Sequence, residues 1–292
     1  MKKIKSYLKL IRIHQYLKNG FIFLPLFFAL RIKEFNLWIP LGISFVAFSL
    51  CASAVYVLND IMDAKEDHHH PIKKHRPIAC GAVSKRKAFI FLSALLITGL
   101  GISFGVSWHV TLLLLIYLAL NLSYTFYLKH IAILDITVIA IGFVIRLFVG
   151  AVTVHISLSN WIILLTFLLA LFLGSAKRRD DVLLFNRTGQ KMRKSIDGYN
   201  LEFVNAILLI TSAVTIVSYI MYTISLPNIA FFHNHYLFLT TLFVILGILR
   251  YLQITFVEES SGSPTEILVK DFFISGCILG WILCFMVLIY FN

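Results

Sequence analysis

The sequence predicts an all-α, polytopic membrane protein in which residues 1–292 form a single integral-membrane domain. Hydrophobic residues occupy 59% of the 292 positions, against roughly 45–50% in soluble domains. Charged residues make up only 14% of the chain, and the mean hydropathy is +0.88. The apolar residues are gathered into long runs, many of which reach the roughly 20 residues that one helical membrane crossing needs.

Nine apolar runs are predicted to cross the membrane as helices. In chain order they cover 20–35, 37–58, 87–106, 108–127, 133–153, 160–176, 202–224, 235–256 and 271–291. No cleavable signal peptide is predicted, because the basic N-terminus is not followed by a small-residue cleavage site. The four cysteines form no CxxC pair, so neither a disulfide framework nor a zinc site is expected.

The positively charged residues predict the orientation. With the N-terminus in the cytoplasm, all but three of the 26 Lys and Arg residues fall on the cytoplasmic side, the exceptions being Arg31, Lys33 and Arg146. Basic residues are enriched in cytoplasmic loops. We therefore expect a multi-pass protein of the inner (cytoplasmic) membrane with a cytoplasmic N-terminus and an outside C-terminus. No nucleic-acid partner is expected.

The segment 59–67, NDIMDAKED, carries the most chemical information. Asp60, Asp63 and Asp67 are spaced i, i+3 and i+7, which would stack three carboxylates on one helix face. Neighbouring carboxylates repel one another unless a cation lies among them. Mg²⁺ prefers such oxygen ligands and often shares them with the phosphates of a substrate. We predict a catalytic Mg²⁺ site at these three residues, the alternative being a solvated helix end.

Two segments on the same side, 59–84 and 177–195, are expected to form loops and combine acidic and basic residues densely. A metal held by carboxylates and surrounded by Lys and Arg suits a polyphosphate substrate. The candidate phosphate-binding residues are Lys18, Lys73, Lys74 and Arg76 in one group and Lys129, Lys177 and Arg178 in a second. For Lys73 and Lys74, the open alternative is a role in membrane topology with contact to anionic lipid headgroups. For Lys177 and Arg178, a role in topology also stays open.

Arg146 lies within a predicted span, where a charge is costly and usually faces a cavity or a partner. Asp135 precedes it by 11 positions, about three helical turns, so the two side chains could share a face. A structural ion pair, a snorkelling side chain and a substrate contact all stay open for Arg146.

These motifs resemble the UbiA superfamily of intramembrane prenyltransferases. NDIMDAKED at 59–67, continued by HPIKKHRPIACGAVS at 70–84, is similar to the first Asp-rich motif of that superfamily. The resemblance implies a bundle of nine helices with a polar pocket that faces the cytoplasm.

The second charged segment indicates which branch of the superfamily the chain resembles. Most members carry a DxxxD motif after the sixth helix, whereas this chain has Lys-Arg-Arg-Asp-Asp at 177–181. This resembles the polyprenyl-phosphate phosphoribosyltransferase branch, as do the segments 12–19, 249–252 and 262–268.

The branch resemblance implies a reaction. It would transfer 5-phosphoribose from 5-phosphoribosyl diphosphate to a polyprenyl (decaprenyl-type) phosphate, with release of diphosphate and with Mg²⁺ as cofactor. Lys177 would be catalytic beside the Asp triad. Further substrate-binding residues would be Asn59, Tyr124, Arg146 and Asp181, in addition to the basic groups named above.

Two other functions stay open. One is a conventional UbiA-type prenyltransferase that joins an isoprenoid diphosphate to an aromatic acceptor. The other is a non-enzymatic transporter or lipid-binding membrane protein, against which the clustered Asp triad argues. Association into a homo-oligomer is also an open expectation.

Overall fold

The computed structural model describes residues 2–69, 73–189, 194–225, 231–232, 234–259 and 264–290. Within these ranges the protein is helical, without β-strands. We number the α-helices in chain order: α1 Lys2–Ile11, α2 Leu24–Phe28, α3 Trp38–Met62, α4 Ala64–His69, α5 Lys85–Val106, α6 Trp108–Phe126, α7 Leu134–Thr153, α8 Asn160–Thr188, α9 Leu201–Ile224, α10 Thr241–Phe256, α11 Pro264–Lys270 and α12 Phe272–Tyr290.

Eight helical segments in the described part of the chain are long and apolar enough to cross a membrane. They are Phe35–Met62, Lys85–Val106, Trp108–Phe126, Leu134–Thr153, Asn160–Thr188, Leu201–Ile224, His235–Phe256 and Phe272–Ile289. The all-α membrane architecture is therefore confirmed, and each of these segments corresponds to a predicted span.

The count of nine is not confirmed, because the run predicted at 20–35 is not one continuous helix. A 3-10 helix covers Ile13–Phe23, the short α2 follows, and the chain then turns. Pro25 lacks a backbone donor, and Leu30 adopts a left-handed φ of 61°. Local breaks of this kind are not visible in the hydropathy of the run.

Side-chain caps fix where several helices begin. The hydroxyl of Ser159 accepts a hydrogen bond from the Ile162 amide before α8, and Asn200 accepts one from Phe203 before α9. Such caps satisfy amides that have no partner within the helix. Helix α8 runs on to Thr188 and ends at Gly189, whose φ of 67° suits a glycine cap. Residues 177–188, which we expected to form a loop, are therefore helical.

The described chain divides into two compact units. Unit 1 comprises residues 1–128 and 142–158, with a core of side chains that includes Phe48, Leu114 and Val149. A Cβ on Gly150 would overlap the carbonyl oxygen of Ile22. Only glycine therefore permits α7 to pack this closely on the segment 13–23.

Unit 2 comprises residues 129–141 and 159–292. Phe172, Leu208, Tyr251 and Ile254 lie in its core, where α8, α9 and α10 meet. Helix α7 begins in unit 2 and ends in unit 1.

Candidate active site

The end of α3 gathers two of the three predicted carboxylates with two arginines in unit 1. Arg12 Nη2 lies 2.5 Å from Asp60 Oδ1. Arg76 Nη1 lies 2.6 Å from Asp67 Oδ2 and 3.2 Å from Asp60 Oδ1. Both Asp residues are buried, each 2% exposed. We call these four residues the Asp60 cluster.

The local backbone explains how Asp60 and Asp67 meet. Helix α3 ends at Met62, Asp63 caps it by donating its amide hydrogen to the Asn59 carbonyl, and α4 begins at Ala64. The three carboxylates thus lie across a helix junction and not along one uninterrupted helix. No group of three or more His, Cys, Asp or Glu side chains among the described residues is arranged to hold a metal ion. The three-carboxylate Mg²⁺ site stays a prediction.

The chemistry of this cluster nevertheless fits a hard divalent cation. Two buried carboxylates share one Arg76 nitrogen, so a cation already lies between them. Carboxylate oxygens are ligands that Mg²⁺ accepts. Asp60, Asp67 and the neighbouring Asp63 could hold such an ion once Arg76 turns away.

One predicted substrate-binding residue, Asn59, directly precedes Asp60 on α3. Thr125 Oγ1 donates to Asn59 Oδ1 over 2.6 Å, which joins α6 to the end of α3. Arg12 also stacks over the Tyr56 ring, 5.1 Å from its centroid. Lys18 and Tyr124 are half-buried in unit 1, and Lys74 is exposed. The side chain of Lys73 lies outside the described part of the structure.

Arg146 occupies a buried position on α7 and is only 5% exposed. Its Nε donates to Asn19 Oδ1 over 2.8 Å, and its Nη1 donates to the Gly142 carbonyl over 2.7 Å. The Tyr117 hydroxyl is 3.4 Å from Nη2. The hypothesis of an ion pair with Asp135 is wrong, since the described contacts of Arg146 are to neutral groups and those of Asp135 are to other residues.

In unit 2, the predicted second motif lies on the last turns of α8. Lys177 is exposed, whereas Arg178 is fully buried. Arg178 Nη1 lies 2.5 Å from Asp181 Oδ2, and its Nη2 lies 2.8 Å from Asp135 Oδ2. The Nε of Arg178 has no hydrogen-bond partner among the described residues. Lys129 is half-buried on the segment Leu128–His130.

Asp135 is the centre of this second cluster and is fully buried. Besides Arg178, it accepts hydrogen bonds from Tyr199 (2.7 Å) and Ser195 (3.0 Å). Burial and then the hydrogen bond to Asp135 raise the pKa of the Tyr199 phenol. The Tyr199 oxygen in turn accepts a hydrogen bond from the Ile133 amide over 2.7 Å. Asp135 therefore connects the segment 194–199 to α8. We use the name Asp135 cluster for Asp135, Arg178, Asp181, Ser195 and Tyr199.

No pattern in the sequence predicted four of these residues as part of a site, namely Arg12, Asn19, Ser195 and Tyr199. Asp135 was predicted only as a possible partner of Arg146. The sequence offers one signal for Asp135. It is a charged residue at the start of an apolar run, where its side chain is expected to be buried. Nothing in the spacing of the chain connects Asp135 with Arg178, 43 positions away.

Together, the helices and the two clusters define a multi-span membrane protein in which ion pairs are buried at helix ends. The chain belongs to the UbiA prenyltransferase family, whose family model matches residues 21–181. The resemblance noted in the sequence is thereby confirmed.

Two curated relatives are similar over most of the chain. Decaprenyl-phosphate phosphoribosyltransferase from Corynebacterium glutamicum is 31% identical over 287 residues, covering 97% of this chain and 86% of the relative. The protein of the same name from Mycolicibacterium smegmatis is 32% identical over 257 residues, covering 86% of this chain and 80% of the relative.

A solved structure has the same fold. The UbiA homolog from Archaeoglobus fulgidus bound to GPP and Mg²⁺ superposes with a TM-score of 0.70. The match covers 94% of this chain and 97% of that one, at 18% sequence identity. At this identity the similarity shows the fold, which is that of a UbiA protein.

Proposed function

We propose that this protein transfers 5-phosphoribose from 5-phosphoribosyl diphosphate to a polyprenyl phosphate of the decaprenyl type and releases diphosphate. The main support is that relatives named for this activity are similar to the chain almost from end to end. The buried Asp60 cluster at the end of α3 supports a site for a charged, phosphate-bearing substrate.

In this reaction the bond between ribose C1 and the diphosphate oxygen breaks, and a new bond forms between C1 and an oxygen of the acceptor phosphate. The transition state has oxocarbenium character, as in other glycosyl transfers. An ionised phosphate needs no strong general base, so positioning and electrostatics would supply most of the rate. Attack from the face opposite the diphosphate would invert C1.

The residues of unit 1 are proposed to hold the metal ion and to contact phosphate groups of the substrate. Asp60, Asp63 and Asp67 would hold Mg²⁺, which neutralises charge on the leaving diphosphate when bound. Arg76 would move from the carboxylates to phosphate oxygens. Lys18, Lys74 and Tyr124, with Asn59 fixed by Thr125, are further candidate contacts, as is Lys73.

The residues of unit 2 divide into exposed and buried groups. Exposed Lys177 and half-buried Lys129 are proposed to contact substrate phosphate. Arg178 is held by two carboxylates, so we propose that it positions Lys177 and Asp181 on α8 and does not itself contact substrate.

We also propose where the protein lies in the cell and how much of the chain forms the transferase domain. The protein is a multi-span membrane protein, and we place it in the inner membrane with a cytoplasmic N-terminus, so that the polar site meets a soluble donor. Residues 1–292 are proposed to act as one transferase domain, and association into a homo-oligomer stays a prediction.

A donor-specificity assay tests the proposal. Purified protein in liposomes with Mg²⁺ would receive polyprenyl phosphate with 5-phosphoribosyl diphosphate, and in parallel a prenyl diphosphate with an aromatic acid. We expect phosphoribosylated lipid, lost on adding EDTA. Asp60→Asn is expected to lower kcat by about 10²–10³-fold.

The matched control is Glu34→Gln, which changes a carboxylate that pairs with Arg31 outside the Asp60 cluster and should leave the rate unchanged. Prenylated aromatic product would assign the chain to the conventional prenyltransferases. No product from either pair would contradict the enzymatic proposal and favour a transporter or lipid-binding protein.

A further inference from the structure

Arg146 has more donors than the described protein satisfies. A guanidinium carries five N–H donors. Three acceptors are present, and all are neutral: the Asn19 side chain, the Gly142 carbonyl and, at 3.4 Å, the Tyr117 hydroxyl. The side chain is 5% exposed, so bulk water does not take up the remaining N–H groups.

Aromatic rings surround the cation but do not neutralise it. The Arg146 guanidinium carbon lies 4.7 Å from the Phe48 ring centroid, 5.2 Å from that of Tyr117 and 5.4 Å from that of Phe143. Rings stabilise a cation through their faces and leave N–H groups at the edge of the guanidinium plane available.

The carboxylates of the Asp60 cluster are engaged elsewhere. Asp60 binds Arg12 and Arg76, and Asp67 binds Arg76. No carboxylate in the described part of unit 1 contacts Arg146. A buried charge within a membrane span usually has a partner or marks a functional site, so the missing counter-charge points to an anionic ligand.

Polar side chains on α3 form a row from the Asp60 cluster toward Arg146, which we call the polar path. Ser49, Ser53, Tyr56 and Asp60 recur every three or four residues and so share one face of α3. Phe48, which contacts Arg146, precedes Asp60 by 12 residues, about 18 Å along the helix axis. Arg12 lies over the ring of Tyr56 on this face, 5.1 Å from its centroid.

The segment 13–23 lines the same path. The Tyr16 hydroxyl lies 2.9 Å from Ser53 Oγ, and Asn19 Nδ2 donates to Ser49 Oγ over 2.8 Å. Asn19 therefore links this path directly to Arg146.

We propose that Arg146 binds a phosphate monoester at the inner end of this path, separately from the diphosphate at the Asp60 cluster. The planar guanidinium fork is suited to phosphate oxygens. The inference rests on the proposed function, in which two groups have this chemistry: the 5-phosphate of the donor and the phosphate of the polyprenyl acceptor.

Ligand binding without turnover tests the site. Purified protein in lipid nanodiscs would be titrated with ribose 5-phosphate or with a short-chain polyprenyl phosphate, and the midpoint of thermal unfolding would be recorded. Arg146→Gln is expected to weaken the response to one of the two probes at least tenfold. Arg146→Lys should retain part of it, and the control Arg31→Gln, altered at a pair with Glu34, should match the wild type.

The two probes identify the source of the phosphate. A loss confined to ribose 5-phosphate assigns Arg146 to the donor, and one confined to the polyprenyl phosphate assigns it to the acceptor. Equal responses of the wild type and Arg146→Gln to both probes would overturn the proposal. If Arg146→Gln does not fold, the same comparison with Arg146→Lys decides, since lysine keeps the charge and loses the fork.

Turnover separates this inference from the proposed function. If the wild type makes no phosphoribosylated lipid while a probe still depends on Arg146, the function fails and the phosphate site stands. If Arg146→Gln forms that lipid with wild-type kcat and KM for both substrates, the function stands and the phosphate site fails.

Discussion

Arg76 Nη1 lies between the carboxylates of Asp60 and Asp67, where the sequence places a metal ion. A metal ion at the predicted site would compete with Arg76 for the same oxygens, so Mg²⁺ binding would have to displace this side chain. At the residue scale, we therefore expect Arg76 to set the affinity of the carboxylates for metal and to become available for phosphate when the metal is bound.

Substituting Arg76 tests this competition. Two unit charges 4 Å apart interact by about 4 kcal/mol at an effective dielectric of about 20. Removing the competing charge in Arg76→Gln is therefore expected to tighten metal binding at least about tenfold. Electron paramagnetic resonance with Mn²⁺, a cation that also accepts carboxylate ligands, measures this without catalysis.

Two variants serve as controls for that measurement. Arg76→Lys keeps the charge and should stay close to the wild-type affinity. Arg86→Gln alters an exposed arginine at the start of α5 and should have no effect. Unchanged or weaker Mn²⁺ binding in Arg76→Gln would contradict the competition.

At the element scale, the sequence predicted long helices better than their interruptions. A run of about 20 apolar residues has to satisfy its backbone internally, so it forms a helix in a membrane. The run at 20–35 differs because the chain breaks near Pro25 and Leu30. Conversely, the charges at 177–181 suggested a loop, yet α8 continues because Arg178 and Arg179 find partners inside unit 2.

The candidate site was predictable as a list of residues but not as a set of contacts. Repulsion among neighbouring carboxylates indicated that a cation belongs at Asp60 and Asp67, and the structure places Arg76 there. The partner of Asp135 was not predictable, because tertiary pairing between α7 and α8 leaves no periodic signal. The same holds for the neutral acceptors around Arg146.

The close contact between α7 and the segment 13–23 predicts that a larger residue at position 150 destabilises the protein. In Gly150→Ala the new Cβ would overlap the Ile22 carbonyl, and a backbone oxygen cannot turn away as a flexible side chain can. Overpacking of this kind costs about 1–3 kcal/mol. We expect a lower midpoint of thermal unfolding in detergent and reduced transferase activity, because the same segment carries Asn19.

Gly101→Ala is the matched control. Its Cβ would meet no heavy atom within 4 Å, and alanine favours a helix interior by about 0.8–1.0 kcal/mol over glycine. This variant should unfold at the wild-type temperature or above it. Equal stability of Gly150→Ala and the wild type would show that α7 does not depend on this close approach.

At the scale of the whole molecule, the distribution of charge predicts which side of the membrane the Asp60 cluster occupies. Nearly all Lys and Arg residues fall on one predicted face, and basic loops stay in the cytoplasm. The proposed donor is a soluble, highly charged metabolite. The orientation and the proposed function therefore require the same placement of this cluster.

Cysteine labelling tests that placement. Cys80 is exposed, Cys51 and Cys277 are buried, and the partly buried Cys284 can be replaced by alanine. In this Cys284→Ala background, a membrane-impermeant maleimide should label Cys80 in inside-out vesicles and not in intact spheroplasts. The reverse is expected for Cys80→Ala combined with Ser157→Cys, since Ser157 is exposed in the loop after α7 and is predicted outside.

Labelling of Cys80 in spheroplasts would place the neighbouring Asp60 cluster outside the cell. The orientation and a cytoplasmic phosphoribosyl donor would then both be wrong, whereas the helical fold would be unaffected.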